Sequence, residues 1–134
     1  IASSVIAILA QRLVRINCVK CKKPYKPTDA EVKSGAITPE QLTKATFMRG
    51  TGCNHCNQGG YRGRLGIFEM MKMTSAIREM TFTQAPAQDI RRVAKQNGMR
   101  DLLTDGVLKA LKGTTTLEEV LSTCHAEQEL ESTK

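Results

Sequence analysis

Two stretches, Cys18-Val-Lys-Cys21 and Cys53-Asn-His-Cys56, place four cysteines in two CxxC turns. A two-residue spacer lets two thiolates from one tight turn converge on one metal ion, and two such turns supply a complete tetrahedral set of sulfur ligands. The 31 residues between the turns exceed the roughly 15–20 of the common pattern, which indicates folded structure between them. The pattern predicts one structural Zn²⁺ with four ligands: Cys18, Cys21, Cys53 and Cys56.

Disulfide bridges and redox-active dithiols also use CxxC pairs. No secretory signal precedes the cysteines, and a redox protein needs one exposed pair rather than two. Thiolate-bound zinc requires a reducing compartment, so we expect the cytoplasm. Because four sulfurs fill the tetrahedron, no position stays open for water or substrate, and the ion should be structural. We therefore expect His55 outside the ligand shell and Cys124 in an apolar core.

The composition allows only a modest core. The chain has 134 residues, of which 40% are hydrophobic and 4% aromatic, with no Trp. One or two small domains of this composition would gain stability from a metal cross-link. No apolar run reaches the ~20 residues of a membrane-spanning helix, and we expect a soluble protein.

The positive charge is concentrated in the half that carries the cysteines. Residues 1–74 contain 12 Lys and Arg against 4 Asp and Glu, whereas residues 75–134 contain 8 against 9. Zn²⁺ with four thiolates has a net charge of −2, which nearby cations partly offset. The nearest in sequence are Lys20, Lys22, Lys23 and Lys26. The remaining charge could face acidic protein, anionic lipid, nucleic acid or only water.

Apolar residues at the start of the chain recur at helical spacing. They are Ala2, Val5, Ile6, Leu9, Ala10 and Leu13. The spacing predicts an amphipathic helix that becomes a short strand before Cys18. No capping residue precedes this helix, so we expect that the chain is truncated there. Between the cysteine pairs, Thr28 and Thr38 each begin a capping box and predict two short helices.

The second half of the chain reads as a turn, a strand and a series of helices. Gln58-Gly59-Gly60 predicts a turn, and Tyr61 to Glu69 predicts a return strand. Helices are predicted over residues 75–82, 86–97 and 101–112, followed by a last helix capped by Thr116. Their core is expected to contain Ile90, Val93, Leu103, Val107, Leu111, Leu117, Val120 and Leu121. The fold class is therefore α+β, mostly helical, with a four-cysteine zinc module, a short return strand and a C-terminal helical bundle.

A series of short motifs along the chain, in the order given below, resembles a known family. They are Ala10-Gln-Arg-Leu-Val-Arg15 leading into Cys18-x-x-Cys21, Gly52-Cys-x-x-Cys56, Gly60-Tyr-Arg-Gly-Arg-Leu-Gly-Ile-Phe-Glu69, Gly98-Met99, Asp105-Gly106-x-x-Lys109, Gly113-x-Thr-Thr and Glu118-Glu-Val120. Together they resemble the C-terminal third of the type II secretion and type IV pilus assembly ATPases (GspE/PilB type), to about residue 122. One departure is Gly59, where the family usually carries Thr.

The resemblance implies a hexameric ATP-driven motor on the cytoplasmic side of the inner membrane. Such a motor is peripheral to the membrane, binds ATP and Mg²⁺, and acts on an inner-membrane platform protein and neighbouring ATPase subunits. The four cysteines match the family's metal ligands. The resemblance also implies four segments: residues 1–16 as the end of a RecA-like ATPase core, 17–60 as the zinc module, 61–74 as a strand returning to the core, and 75–134 as a helical C-terminal domain.

The sequence contains no GxxxxGK[ST] phosphate loop, so we expect no catalytic residue and no ATP hydrolysis by this chain alone. The alternative function is a zinc-ribbon nucleic-acid-binding protein, which the basic half permits. Tyr25, Phe47, Tyr61 and Phe68 are scattered in that half and do not form the stacking series of single-strand binders. We therefore expect no specific nucleic-acid partner. A third class, a redox dithiol protein, would need an exposed metal-free CxxC of low pKa.

Overall fold

The chain folds as a long β-hairpin with one insertion and a helical tail. The computed structural model describes residues 4–132. Its elements are β1 (Ala7–Asn17), β2 (Lys22–Pro24), α1 (Asp29–Ser34), α2 (Pro39–Lys44), β3 (Met48–Gly50), β4 (Tyr61–Lys72), α3 (Ser75–Phe82), α4 (Ala87–Gln96), α5 (Leu102–Leu111) and α6 (Leu117–Ser132). This α+β architecture confirms the predicted fold class.

The hairpin consists of β1 and β4, which pair antiparallel from Ala7 opposite Lys72 to Val14 opposite Leu65. The register shifts near its end, where β4 has one residue more than β1. Gly63 lies in this irregularity with φ of 86°, a backbone conformation that glycine adopts without steric cost. Val14 and Ile67 are fully buried on the face that packs against the tail.

The helix predicted at the start of the chain is wrong, because Ala7–Asn17 is a strand. The run from Val5 to Ala10 is apolar at every position, so its pattern fits a helix and a strand equally well. Pairing with β4 decides between them, since this twelve-residue strand supplies hydrogen-bond partners along one edge of β1. Ala2, the first residue of the predicted helix, lies outside the described residues, as do the last two residues of the tail.

The insertion between β1 and β4 contains the cysteines, a two-stranded ribbon of β2 and β3, and two short helices. Both predicted capping boxes are confirmed, with Thr28 accepting from the Glu31 N–H and Thr38 from the Gln41 N–H. The ribbon places Lys22 opposite Gly50 and Pro24 opposite Met48. It thereby brings the chain after the first cysteine pair alongside the chain before the second.

The tail helices begin and end close to their predicted positions. Thr74, Asp101 and Thr116 accept N–H groups at the starts of α3, α5 and α6. Gly98 follows α4 with φ of 97°, as a helix-terminating glycine does. Within the described residues, no helix combines the length and apolarity needed to cross a bilayer.

One apolar core joins the hairpin, the insertion and the tail. Of the predicted core residues, Val107, Leu117, Val120 and Leu121 are buried, whereas Ile90, Val93, Leu103 and Leu111 are half-buried. The same cluster contains Val14 and Ile67 from the hairpin, Ile37 and Phe47 from the insertion, and Cys124 from α6. The expectation of a separate core for the tail is therefore wrong, while the predicted burial of Cys124 is confirmed.

Asp105 connects α5 to the edge of β4 that does not pair with β1. It is 7% exposed, and its carboxylate accepts the Phe68 N–H at 2.8 Å, the Lys109 ammonium at 2.7 Å and the Arg100 guanidinium at 3.2 Å. Desolvation raises the pKa of Asp105, but the hydrogen bonds from Lys109, Phe68 and Arg100 outweigh it and the pKa falls. A buried carboxylate with three donors closes this sheet edge.

Candidate metal centre

The four predicted ligands lie at the ends of strands. Cys18 follows β1, Cys21 precedes β2, Cys53 lies after β3, and Cys56 ends a single 3₁₀ turn (Asn54–Cys56) before β4. Hairpin pairing fixes Cys18 beside the start of β4, where its N–H donates to the Gly60 carbonyl at 3.0 Å. The β2–β3 ribbon fixes Cys21 beside the second turn. Strand pairing thus brings together thiols that are far apart in sequence.

The sulfur geometry fits one tetrahedral ion. The Sγ atoms of Cys18 and Cys53 are 3.7 Å apart, those of Cys21 and Cys56 3.8 Å, and those of Cys53 and Cys56 3.7 Å. All four Sγ atoms lie within 4.8 Å of one another. A tetrahedral ion with Zn–S distances of about 2.3 Å places its sulfurs about 3.8 Å apart. The four cysteines are therefore close enough to hold a metal ion.

Backbone N–H groups point at the sulfur atoms. Gly52 donates to Cys21 Sγ at 3.3 Å, Cys53 to Cys56 Sγ at 3.3 Å, and Gly60 to Cys56 Sγ at 3.2 Å. Such donors stabilise thiolates and orient them toward a metal. The CxxC turns predict that backbone N–H groups point at the thiolates, but the donors themselves, Gly52, Cys53 and Gly60, are identified only by the structure.

Gly60 ties the two cysteine turns together. Its N–H donates to Cys56 Sγ and its carbonyl accepts the Cys18 N–H, so one residue contacts both turns. This requires close passage of Gly50, where an added Cβ would lie 1.9 Å from the Gly60 carbonyl oxygen. At Gly59, in contrast, a Cβ would meet only the Cys56 carbonyl oxygen at 3.4 Å. The departure at Gly59 is therefore compatible with the Thr of the family pattern.

Without a metal ion, the thiols of Cys53 and Cys56 differ in pKa. Desolvation raises the pKa of Cys56, but hydrogen bonds from the Gly60 and Cys53 N–H groups outweigh it, and the pKa falls to about 6. A backbone hydrogen bond from Cys56 lowers the pKa of Cys53, but desolvation and the neighbouring thiols raise it to about 11. Four thiolates in one site repel each other, and a central cation removes that repulsion. The donor set thus fits a soft divalent cation.

His55 lies in the second turn but is not part of the sulfur cluster. Its carbonyl accepts the Arg62 guanidinium at 2.7 Å. Desolvation and the charges of Arg62 and Lys20 lower the pKa of its imidazole. The hydrogen bond places Arg62 beside the second turn.

The cations around the site fall into two groups. Arg15 forms a bidentate pair with Glu119, at 2.9 Å for both contacts, and Arg49 pairs with Glu118 at 3.1 Å. These arginines face α6 and are neutralised by it. Lys22 and Lys23 are consecutive in β2 and therefore point to opposite faces of the ribbon. The lysines near the first turn consequently surround the site and do not form one flat patch.

The tyrosines of the basic half are held by intramolecular contacts. Tyr25 packs edge-on against Phe47 with Arg49 above its ring. Tyr61 lies under the Arg15 guanidinium at 4.1 Å, and its hydroxyl is 2.7 Å from Thr116 Oγ1. These rings are engaged in the fold and do not form a series of platforms for bases.

The cysteine turns are also joined to the turn between α5 and α6. The side-chain amide of Asn17 donates to the carbonyls of Met48 at 2.8 Å and Gly113 at 3.0 Å, and its backbone N–H donates to Thr114 at 2.9 Å. The Tyr25 hydroxyl accepts the Leu117 N–H at 3.3 Å. The residue before the first ligand thus contacts both the ribbon and the tail, a role that sequence reasoning missed.

Comparison with known proteins identifies relatives along nearly the whole chain. Residues 1–122 match the family model described as Type II/IV secretion system protein. The chain is 37% identical to the type IV pilus assembly ATPase PilB of Thermus thermophilus, over 91% of this chain and 14% of the relative. It is 40% identical to the type II secretion system protein E of Pseudomonas aeruginosa, over 90% of this chain and 24% of the relative. The type II secretion system ATPase E of Vibrio cholerae is 37% identical over 90% and 24%, respectively.

Proposed function

Because this chain belongs to the Type II/IV secretion system protein family, we propose that it is the C-terminal part of a hexameric secretion or pilus assembly ATPase. The chain spans between 14% and 24% of the length of the relatives compared. The activity of a whole motor is therefore part of this proposal. The match over residues 1–122 is the observation that carries this proposal. In the proposed motor, the zinc module and the helical tail support ring assembly and couple ATP hydrolysis to an inner-membrane platform protein.

The metal is proposed to be structural Zn²⁺ held by the four cysteines. Support comes from the all-sulfur donor set, from Sγ separations of 3.7–3.8 Å, and from the four protein donors that complete a tetrahedral shell. Such an ion stabilises the fold and has no open position for a reaction. ATP and Mg²⁺ are proposed to bind only in the full-length motor, which we place in the cytoplasm, peripheral to the inner membrane.

The proposed division of the chain follows the family. Residues 1–16 would end the RecA-like core, 17–60 form the zinc module, 61–74 return to the core, and 75–134 form the helical C-terminal domain. An exposed apolar face of the hairpin supports contact with such a core, because Leu9 lies opposite Met70 and both are about half exposed, at 60% and 49%. Leu13 and Phe68 extend this face.

Metal analysis tests the zinc assignment. Protein purified under reducing conditions should contain about one equivalent of zinc per chain. Cys18→Ser should lose most of it, whereas Cys124→Ser should keep it, because Cys124 lies outside the sulfur cluster. A parent chain without zinc, or equal zinc retention in the two variants, would reject the assignment.

ATPase assays test whether this chain hydrolyses ATP without the rest of the proposed motor. We expect no turnover above background by this chain, because no phosphate loop is evident in its sequence to present backbone N–H groups and a lysine to the phosphates. The full-length hexamer should hydrolyse ATP. Turnover that follows the isolated chain through purification would contradict the proposal. Sequence-selective DNA or RNA binding that survives about 0.2 M salt would favour the nucleic-acid-binding alternative.

A further inference from the structure

The outer end of the two cysteine turns is a basic surface with one exposed apolar side chain. We call it the cysteine tip and define it by Val19, Lys20, Asn54, His55 and Arg62. Val19 is 70% exposed. Arg62 donates to the His55 carbonyl at 2.7 Å, and the Sγ atoms of Cys18 and Cys53, one from each turn, are 3.7 Å apart. Three separate segments of the chain therefore meet at this tip.

The positive charge on and around the metal module exceeds what the metal centre needs. No Asp or Glu occurs in residues 1–28 or 41–68. Those stretches hold six cations that make no ion pair with any residue that the structure describes: Lys20, Lys22, Lys23, Lys26, Arg62 and Arg64. A divalent ion with four thiolates has a net charge of −2. Compensation of the thiolates accounts for only part of this positive charge.

Several cations elsewhere in the chain are neutralised by carboxylates. Arg91, Arg92 and Lys95 of α4 each pair with a carboxylate, at 2.6, 3.2 and 2.9 Å. Arg15 and Arg49, which flank the metal module on its tail side, pair with the glutamates of α6. The six cations around the cysteine turns differ in this respect from the cations of α4 and from Arg15 and Arg49.

We propose that the cysteine tip docks an acidic segment of a partner protein, with Val19 as its apolar contact. This rests on the proposed function, because the metal would bring Val19 and Lys20 of the first turn beside Asn54 and His55 of the second. Charge would mainly set the encounter rate and orientation, and burial of Val19 would add affinity. The metal assembles the surface without contacting the partner.

A protein segment fits this surface better than a membrane or a nucleic acid. Lys22 and Lys23 point to opposite faces of the ribbon, so these two charges do not lie in the single plane that a membrane would favour. The tyrosines of the basic half are held against other side chains and are not available for stacking on bases. An acidic segment can contact the side of such a tip at several points.

Photocrosslinking in the full-length motor tests the proposal. Benzoylphenylalanine replaces Val19, and the matched control replaces Phe82, a tail residue that is equally exposed at 70%. We expect adducts with a peptide rich in Asp and Glu from position 19 and none of these from position 82. Combining the probe with Lys20→Glu and Arg62→Glu should lower the adduct yield roughly tenfold, whereas Lys20→Arg and Arg62→Lys should preserve it.

Zinc content, measured in every variant, separates the two proposals. Absence of zinc from the parent motor would contradict the proposed metal centre. With zinc present, adducts only with lipid or nucleic acid, or no acidic adduct at position 19, would overturn the docking surface. An undiminished yield after charge reversal would also overturn it. If charge reversal lowers zinc content, these cations serve the thiolates and the docking proposal fails.

Discussion

Gly50→Ala should disrupt the metal centre although position 50 is not a ligand. The added Cβ would lie 1.9 Å from the Gly60 carbonyl oxygen and 2.7 Å from its Cα. An ordinary contact needs at least about 3.4 Å, so one of the two backbones must move by roughly 1.5 Å. No flexible side chain is available to yield, because both partners are main chain.

The displacement separates the two cysteine turns. Gly60 accepts the Cys18 N–H at 3.0 Å and donates to Cys56 Sγ at 3.2 Å, and a shift of this size breaks both contacts. Overpacking costs about 1–3 kcal/mol, and loss of one backbone hydrogen bond adds about 1 kcal/mol. We therefore expect the free energy of unfolding to fall by about 2–4 kcal/mol. Loss of a group that orients a metal ligand typically lowers affinity about 10- to 100-fold.

The assay is competition for zinc with a chromophoric chelator, combined with thermal unfolding of the loaded protein. Gly59→Ala is the matched control, because its Cβ would be 3.4 Å from the Cys56 carbonyl oxygen, an ordinary contact. Gly59→Ala should retain the zinc affinity and the melting temperature of the parent chain. If Gly50→Ala bound zinc and melted like Gly59→Ala, the close approach of the two turns in this structure would be wrong.

Three further outcomes follow from contacts in the tail and its junction with the metal centre. Asp101→Asn should destabilise the chain by about 1 kcal/mol at pH 7, because desolvation raises the pKa of Asp101 but Lys95 and the N–H of Thr104 lower it to about 2. Since the pKa is below its ordinary value, this stabilisation is complete above about pH 4 and lost as pH falls toward 2. Urea unfolding across that range should show that the difference in free energy of unfolding between parent and variant shrinks. A difference that stays constant would contradict this prediction. Tyr61→Phe should cost about 1 kcal/mol in urea unfolding and leave zinc content unchanged, because it removes only the bond to Thr116; loss of zinc would refute this. Chelation should raise hydrogen exchange in residues 112–116 together with residues 17–60, and continued protection of 112–116 would show that the tail is independent.

Local signals in the sequence were sufficient for helix starts and for the cysteine cluster. Thr28, Thr38 and Thr116 accept the N–H groups that their positions predict, because a cap depends on residues within one turn. The CxxC spacing likewise singles out the four sulfurs that lie within 4.8 Å of one another. Each of these features is encoded over a few consecutive residues.

Features that depend on distant pairing were not predictable in the same way. The apolar run from Val5 to Ala10 fits a helix or a strand, and only its pairing with β4 selects the strand. The shared core was missed because the helical pattern of the tail shows which faces are apolar but not what covers them. Val14 and Ile67, from the hairpin, cover part of that tail surface.

The position of the four cysteines at the base of the insertion explains how one ion, as proposed, could serve so long an insertion. The chain leaves the hairpin at Asn17 and returns at Tyr61, so residues 18–60 replace what would otherwise be a short turn. Closing a loop of this length carries an entropic cost that rises with its length. The Cys18 N–H bond to Gly60 and the four sulfurs lie at its base, where a cross-link fixes both ends of the insertion at once. The same base is linked to the turn before α6, because the side-chain amide of Asn17 donates to the Gly113 carbonyl.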